Sequence, residues 1–169
     1  MTTAIPRPAG PRQRGPVVRT ATRRDAEALY RLSRTFARTG ALRERPAALY
    51  AERAGEFLVA EAPDGGLEGC VALRHHPAEP GPGTLAVLYN FCVSPVSQGR
   101  GTGSALLRAV LARAEAEGVR ALFTATTGGG ELFLRYGFAP GGDHGAPAAW
   151  RAALDPERGS VVLSRPLGH

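Results

Sequence analysis

From Thr84 to Glu117 three kinds of sequence follow one another without a break. Thr84 to Val93 is an apolar run, and Ser94 to Gly103 is a turn with glycines at 99, 101 and 103. Ser104 to Glu117 has helical spacing, with Leu106, Leu107, Val110, Leu111 and Ala114 on one stripe and Arg108, Arg113, Glu115 and Glu117 on the solvent side. A strand, a glycine-rich turn and a helix start, in that order, can hold a phosphate or pyrophosphate. Glycines let the backbone approach an anion with no Cβ in the way. The first helical N–H groups lack intrahelical partners and point toward it. A charge near a helix N-terminus is worth roughly 0.3–1 kcal/mol, so several amides must converge.

Two familiar phosphate motifs do not fit. A P-loop closes its glycine stretch with Gly-Lys-Ser/Thr, and this chain has no lysine. A Rossmann fingerprint needs G-x-G-x-x-G opening a βαβ unit, with an acidic residue about 20 positions on. The pattern that fits is Gln/Arg-x-x-Gly-x-Gly/Ala, filled by Gln98, Gly101 and Gly103. It is flanked by Asn90-Phe91-Cys92-Val93-Ser94-Pro95 before, Ala105-Leu106-Leu107 after, and Leu132-Phe133-Leu134-Arg135-Tyr136-Gly137-Phe138 further on. This set resembles the coenzyme-A loop and closing helix-to-strand signature of the GNAT acetyltransferase superfamily.

Composition bounds the rest. A chain of 169 residues, 43% apolar, is expected to form one domain with a real core. No apolar run approaches the ~20 residues of a membrane span, and the basic N-terminus has no apolar segment of the kind a secretory signal carries. The two cysteines, Cys70 and Cys92, sit in predicted strands without ligand-like spacing. They read as small buried residues of a reducing, cytoplasmic compartment, with no metal role. All 21 basic residues are arginine and the net charge is +6. Three of them, Arg7, Arg12 and Arg14, lie near the N-terminus, and the remainder is too diffuse for a nucleic-acid surface. A modest positive surface does suit an anionic cofactor.

In chain order, residues 1–16 read as a disordered Pro/Arg/Gly-rich tail. Val17–Thr20 is a strand, followed by a helix capped at Thr22 or Asp25 with Leu29, Leu32 and Phe36 inward and its end near Thr39-Gly40. Pro46 opens a shorter helix with Leu49 and Tyr50 inward. Phe57–Glu61 and Leu67–Arg74 form a hairpin about Pro63-Asp64-Gly65-Gly66. His75 to Gly83, with three prolines and two glycines, reads as a loop. Leu85 to Val93 is expected to be the longest strand and central, apolar on both faces. Ala121–Thr126 is a strand, Gly129 to Arg135 a short helix, and Gly137 to Pro140 starts another strand. Residues 141–159 are an excursion around Trp150, and Ser160–Arg165 is the last strand. This order resembles the GNAT fold over residues 17–166: an α/β (α+β) architecture with a mixed, mostly antiparallel sheet flanked by helices. The resemblance implies a single N-acetyltransferase domain over 17–169, with the sheet splayed at the acetyl-CoA site.

The resemblance also implies the cofactor and the reaction: transfer of an acetyl group from acetyl-CoA to a primary amine of a small molecule, by direct attack in a ternary complex. Gln98, Gly99, Arg100, Gly101, Thr102, Gly103 and Ser104 would hold the pyrophosphate. Phe91, Cys92 and Val93 would meet the pantetheine arm through their backbones, and Thr127 and Phe133 would also bind the cofactor. A homodimer is implied on the same ground alone. Members often carry a glutamate at the position of Val87 or Tyr89 and a tyrosine acid at that of Phe133, and this chain has neither. Phe133 and Thr126-Thr127 are closer to the amino-acid N-acetyltransferases of the N-acetylglutamate synthase type.

Acetyl transfer needs a neutral amine. At pH 7 deprotonation costs about 1.4 kcal/mol for an α-amino group and about 4.6 kcal/mol for a lysine-type amine. The candidate proton carriers are Tyr89, expected on the same strand face as Val87 and Phe91, then Tyr136, and His75 or His76 at the end of the strand before the acceptor cleft. Glu79, Asp143 and His144 are further candidates. Cys92 lacks a locatable histidine partner for a nucleophilic role. Arg43, Arg45 or Arg74 would suit an acceptor carboxylate. The alternatives are an acyl-CoA-binding sensor or scaffold without catalysis, and acetylation of a protein amine.

Overall fold

The computed structural model describes residues 15–79, 81–128, 130–141 and 145–168. Of the tail expected over residues 1–16, residues 1–14 lie outside the described part, as do Asp143 and His144. Seven strands form one sheet: β1 (Val17–Thr20), β2 (Phe57–Glu61), β3 (Leu67–Pro77), β4 (Thr84–Val93), β5 (Val119–Thr126), β6 (Ala139–Pro140) and β7 (Val161–Pro166). Their order is β1-β2-β3-β4-β5-β7-β6, and every neighbouring pair is antiparallel except β4 with β5. Among the described residues five α-helices flank the sheet: α1 (Ala26–Arg38), α2 (Ala47–Glu52), α3 (Thr102–Ala116), α4 (Glu131–Arg135) and α5 (Ala148–Ala152). Among the described residues no helix is long and apolar enough to cross a membrane.

Strand alternation sends side chains to both faces of the sheet, where the two larger of three hydrophobic clusters among the described residues lie. Leu58, Val71, Leu73, Ala86 and Leu88 pack under α3, whose stripe of Leu106, Leu107, Val110 and Ala114 is fully buried. Phe57, Val59, Cys70 and Ala72 pack on the other face against Leu29 of α1 and Tyr50 of α2. α3 lies close because Gly69 offers no side chain: a Cβ there would stand 2.8 Å from the Cys92 carbonyl and 2.9 Å from Leu106 Cδ1.

β4 breaks its alternation. Tyr89 faces Ala72 and Cys92 faces Cys70, so Asn90 and Phe91 together oppose the single residue Val71. This is a β-bulge, and Asn90 takes it up at φ 53°. Asparagine is among the few residues that visit this left-handed region at modest cost. The bulge corrects one expectation: Tyr89 packs on the α1/α2 side with Cys92, whereas Phe91 turns to the α3 side.

A second correction concerns the histidines. β3 continues to Pro77 and is one residue longer than β4, with His75 opposite Ala86 and His76 opposite Leu85. Pairing with β4 overrides the turn-forming composition and carries the strand through Pro77. α5 was not foreseen within the excursion around Trp150.

Candidate active site

The parallel pairing of β4 with β5 joins Thr84–Val87 to Val119–Phe123 and stops there. Beyond it the strands diverge, bridged near the fork by a hydrogen bond from the Thr124 hydroxyl to the Leu88 carbonyl, 3.1 Å. The opening widens into a cleft of about 970 Å³. One wall is β4 from Leu88 to Val93, and the far wall is Thr124 to Gly128 with Phe133 of α4.

The glycine turn closes one end. Gly99 and Gly101 have φ of 78° and 83°, and Gly101 is the N-cap of α3. Nothing lies within 4 Å of where a Gly101 Cβ would be, so the requirement for glycine there is conformational. Gln98 Nε2 donates to the Val93 carbonyl, 3.1 Å, and ties the turn to the end of β4. Thr102 is 1% exposed, and its hydroxyl has no hydrogen-bond partner. An orphaned hydroxyl beside the free amides of a helix N-terminus is a polar cradle of the kind a pyrophosphate would fill.

At the other end the cleft is basic. Arg43 and Arg45, between α1 and α2, and Arg158, after α5, line it with Trp150 and Leu154. Arg45 is held by its neighbours: its guanidinium donates to Asn90 Oδ1, 3.1 Å, and lies 5.2 Å from the Tyr89 ring centre. Burial and the nearby Arg43 and Arg158 press its pKa down, but a guanidinium remains charged. The Asn90 amide also accepts from the Tyr50 hydroxyl, 3.3 Å, and donates to Ser33, 2.8 Å. One buried amide thus ties α1, α2 and the arginine loop to the bulge.

Tyr89 lines the cleft, and its hydroxyl donates to Glu56 Oε2, 3.1 Å. Burial, then the charge of Glu56, push its pKa well above the ordinary tyrosine range. Cys92 also lines the cleft, with its sulfur 3.7 Å from that of Cys70. Both thiols are free. The hydrogen bond with Cys70, together with burial, raises Cys92, whereas the same contact lowers Cys70.

The residues expected at the site divide. Tyr89, Phe91, Cys92, Val93, Gln98, Gly99, Gly101, Thr102, Gly103, Ser104, Thr127 and Phe133 all line the cleft. Arg100 is exposed on the turn. Tyr136 lies in a shallow groove on the outer side of α3 with Arg108, Arg135 and Arg165. Hydrogen bonds from Ser104 and Arg108 hold its pKa below the usual tyrosine value. His75 is elsewhere: its Nε2 is 2.6 Å from Glu117, just past the C-terminus of α3. The 15 residues of α3 set it about 22 Å from the glycine turn. The expected placement of His75 beside the acceptor cleft is therefore corrected. Sequence reasoning missed Asn90, Glu56, Leu154 and Arg158. Asn90 alone carried a signal, as the one amide inside an apolar run.

The comparisons agree with this geometry. The family model described as an acetyltransferase (GNAT) domain matches residues 53–140. The amino-acid acetyltransferase of Ralstonia nicotianae is 35% identical over 150 residues, covering 89% of this chain and 32% of that protein. That of Azotobacter vinelandii is 33% identical, covering 89% of this chain and 34% of that protein. The chain thus spans about a third of the length of the curated relatives it matches. Among solved structures, N-acetylglutamate synthase from Neisseria gonorrhoeae, complexed with coenzyme A and N-acetyl-glutamate, superposes with a TM-score of 0.80 at 29% identity, over 90% of this chain and 35% of that one. Rv2747 from Mycobacterium tuberculosis, in a complex that includes CoA, does so with a TM-score of 0.76 at 26% identity, over 90% of this chain and all of that one. A sheet forked beside a glycine turn, and a family match that covers both, make this chain a member of the GNAT acetyltransferase family.

Proposed function

We propose that this protein is an acetyl-CoA-dependent N-acetyltransferase whose acceptor is the primary amine of an amino acid. The observation that carries the reading is the forked sheet ending on the glycine turn, with a cluster of arginines at the opposite end of the same cleft. The turn fits a pyrophosphate: Gly101 is free of neighbours, and Thr102 has an unpaired hydroxyl. Gln98 to Ser104 would hold that group, with Phe91, Cys92 and Val93 along the pantetheine arm and Thr127 and Phe133 on the other side. Bound there, acetyl-CoA supplies the electrophilic thioester.

The rest of the chemistry belongs to the chain. Holding the amine against the acyl carbon is worth ~7–11 kcal/mol when the geometry is near attack. The backbone N–H of Val93, on the side of β4 away from β3, is suited to polarising the acyl oxygen. Arg43, Arg45 and Arg158 favour an acceptor with carboxylates, which guanidinium groups bind in a fork. The relatives named amino-acid acetyltransferase support that class of acceptor. Direct attack is favoured over an acyl-cysteine because the Cys92 thiol is buried, raised in pKa and paired with Cys70. We extend the proposal to a single domain over residues 17–169, a cytoplasmic setting suited to two free thiols, and a homodimer, which light scattering would check.

Saturating acetyl-CoA should raise the melting temperature, and Gly101→Val should abolish the rise, since a β-branched residue at φ 83° strains the turn. A thiol-release screen should find turnover with an acidic amino acid. Tight binding without turnover on any amine would identify a sensor, and turnover only on protein amines would move the acceptor class.

A further inference from the structure

The reaction proposed above must dispose of a proton, and the cleft offers few places for it. Val87, on the cleft-bearing strand, is apolar and 2% exposed. Among the described residues that line the cleft, Asp155 is the one carboxylate. It is exposed, and its side chain accepts from the Glu157 amide, 2.9 Å, capping a turn. His75 is at the far end of the sheet.

Tyr89 leads out of the cleft to a second carboxylate. Its ring lies against Phe57 on one side, 5.7 Å between centres, and beneath Arg45 on another. Its hydroxyl donates to Glu56, whose other oxygen is 3.7 Å from Arg74 Nε. The Glu56 side chain is 25% exposed, so its carboxylate can return a proton to solvent.

We propose that Glu56 is the terminal proton acceptor for the acceptor amine and acts through the Tyr89 hydroxyl. The inference rests on the acetyl-transfer reading. The acceptor ammonium gives a proton to the Tyr89 oxygen as the Tyr89 proton passes to Glu56, which leaves a neutral amine, a neutral phenol and a protonated Glu56. The amine nitrogen then bonds to the acyl carbon, the carbon–sulfur bond breaks, and the nitrogen's surplus proton goes to the departing sulfur. Glu56 releases its proton to solvent. Tyr89 never carries a charge, in keeping with a phenol that burial and Glu56 both hold protonated. Arg53, Arg74 and Arg45 face this pair from α2's end, β3 and the α1–α2 loop. His76 lies near Arg74 and Glu56 and is held toward its neutral form by burial and by Arg74.

The test compares wild type, Glu56→Gln, Tyr89→Phe, the double variant and Asp155→Asn across pH, with an amino acid that the wild type acetylates. Glu56→Gln should lower kcat roughly 10²-fold at neutral pH and leave the KM for acetyl-CoA unchanged. The deficit should vanish above the amine's own pKa, where the acceptor arrives neutral. Tyr89→Phe should match it, and the double variant should be no worse than either single one. In the free enzyme, phenolate absorbance should show Tyr89 titrating at lower pH in Glu56→Gln, with Tyr89→Phe as the subtraction. A Glu56→Gln enzyme with the wild-type rate and pH profile overturns the relay alone, as does loss of the acidic limb in Asp155→Asn instead. A wild type that binds acetyl-CoA and acetylates no amino acid overturns the acetyl-transfer reading and the relay with it.

Discussion

Asn90 is the residue on which the site's geometry turns. It holds a left-handed φ in a strand, and its buried amide serves Ser33, Tyr50 and Arg45 at once. Asn90→Ala removes the amide, strands those partners and keeps a Cβ at positive φ, so it should cost about 2–4 kcal/mol. Asn90→Gly loses the same bonds and relieves the backbone, so it should be about 1 kcal/mol less damaging. Chemical denaturation of both variants checks the order. A second residue-scale prediction concerns pH. Asp25 accepts two hydrogen bonds from Arg19, 2.8 and 2.9 Å, and its pKa is held down at about 2. A carboxyl depressed in the folded state stabilises above its unfolded value of about 3.9, and that contribution fades as pH falls through about 2. Because Arg19 is partly exposed, the pair contributes on the order of 1–2 kcal/mol. Asp25→Asn should therefore unfold at lower urea than wild type at pH 7, with the gap closing near pH 2.

At the scale of elements, legibility followed periodicity. The α3 stripe and the hairpin of β2 and β3 could be read because helix and strand periods are local properties of sequence. The bulge could not. It adds one residue on β4 against β3, and only the pairing of two distant strands reveals it. Strand alternation alone puts Tyr89 on the same face as Phe91, whereas the bulge turns the two apart. The Tyr89–Glu56 contact spans 33 positions and leaves no local trace. At His75 and His76 the opposite holds: local turn chemistry is strong, and tertiary pairing with β4 overrides it. The contact of α3 with β3 yields a prediction of its own. Gly69→Val would drive a side chain into the Cys92 carbonyl and Leu106, so it should cost about 2–3 kcal/mol and lower the melting temperature by several degrees.

At the scale of the whole molecule, the sheet separates the core under α3 from that under α1 and α2, and the cleft opens where β4 and β5 part. The net charge of +6 includes the cleft arginines. An anionic ligand should therefore be drawn in partly by long-range attraction, which salt screens over about 10 Å at 0.1 M. Raising salt from about 0.05 to 0.5 M should weaken acetyl-CoA binding several-fold, mainly through a slower on-rate, as stopped-flow measurement would show.

The fork has one more consequence, for self-association. From Leu88 to Val93, β4 is an edge strand lodged in the interior of a seven-stranded sheet. Open edges usually recruit strands from other molecules, and proteins blunt them with charge, proline or a covering segment. Here the arginine loop stands over one approach and Trp150 with Leu154 over another. A slender extended ligand can lie along the backbone groups that such shielding denies to a second polypeptide. The residues that line the cleft thus also cover the open edge of an unfinished sheet.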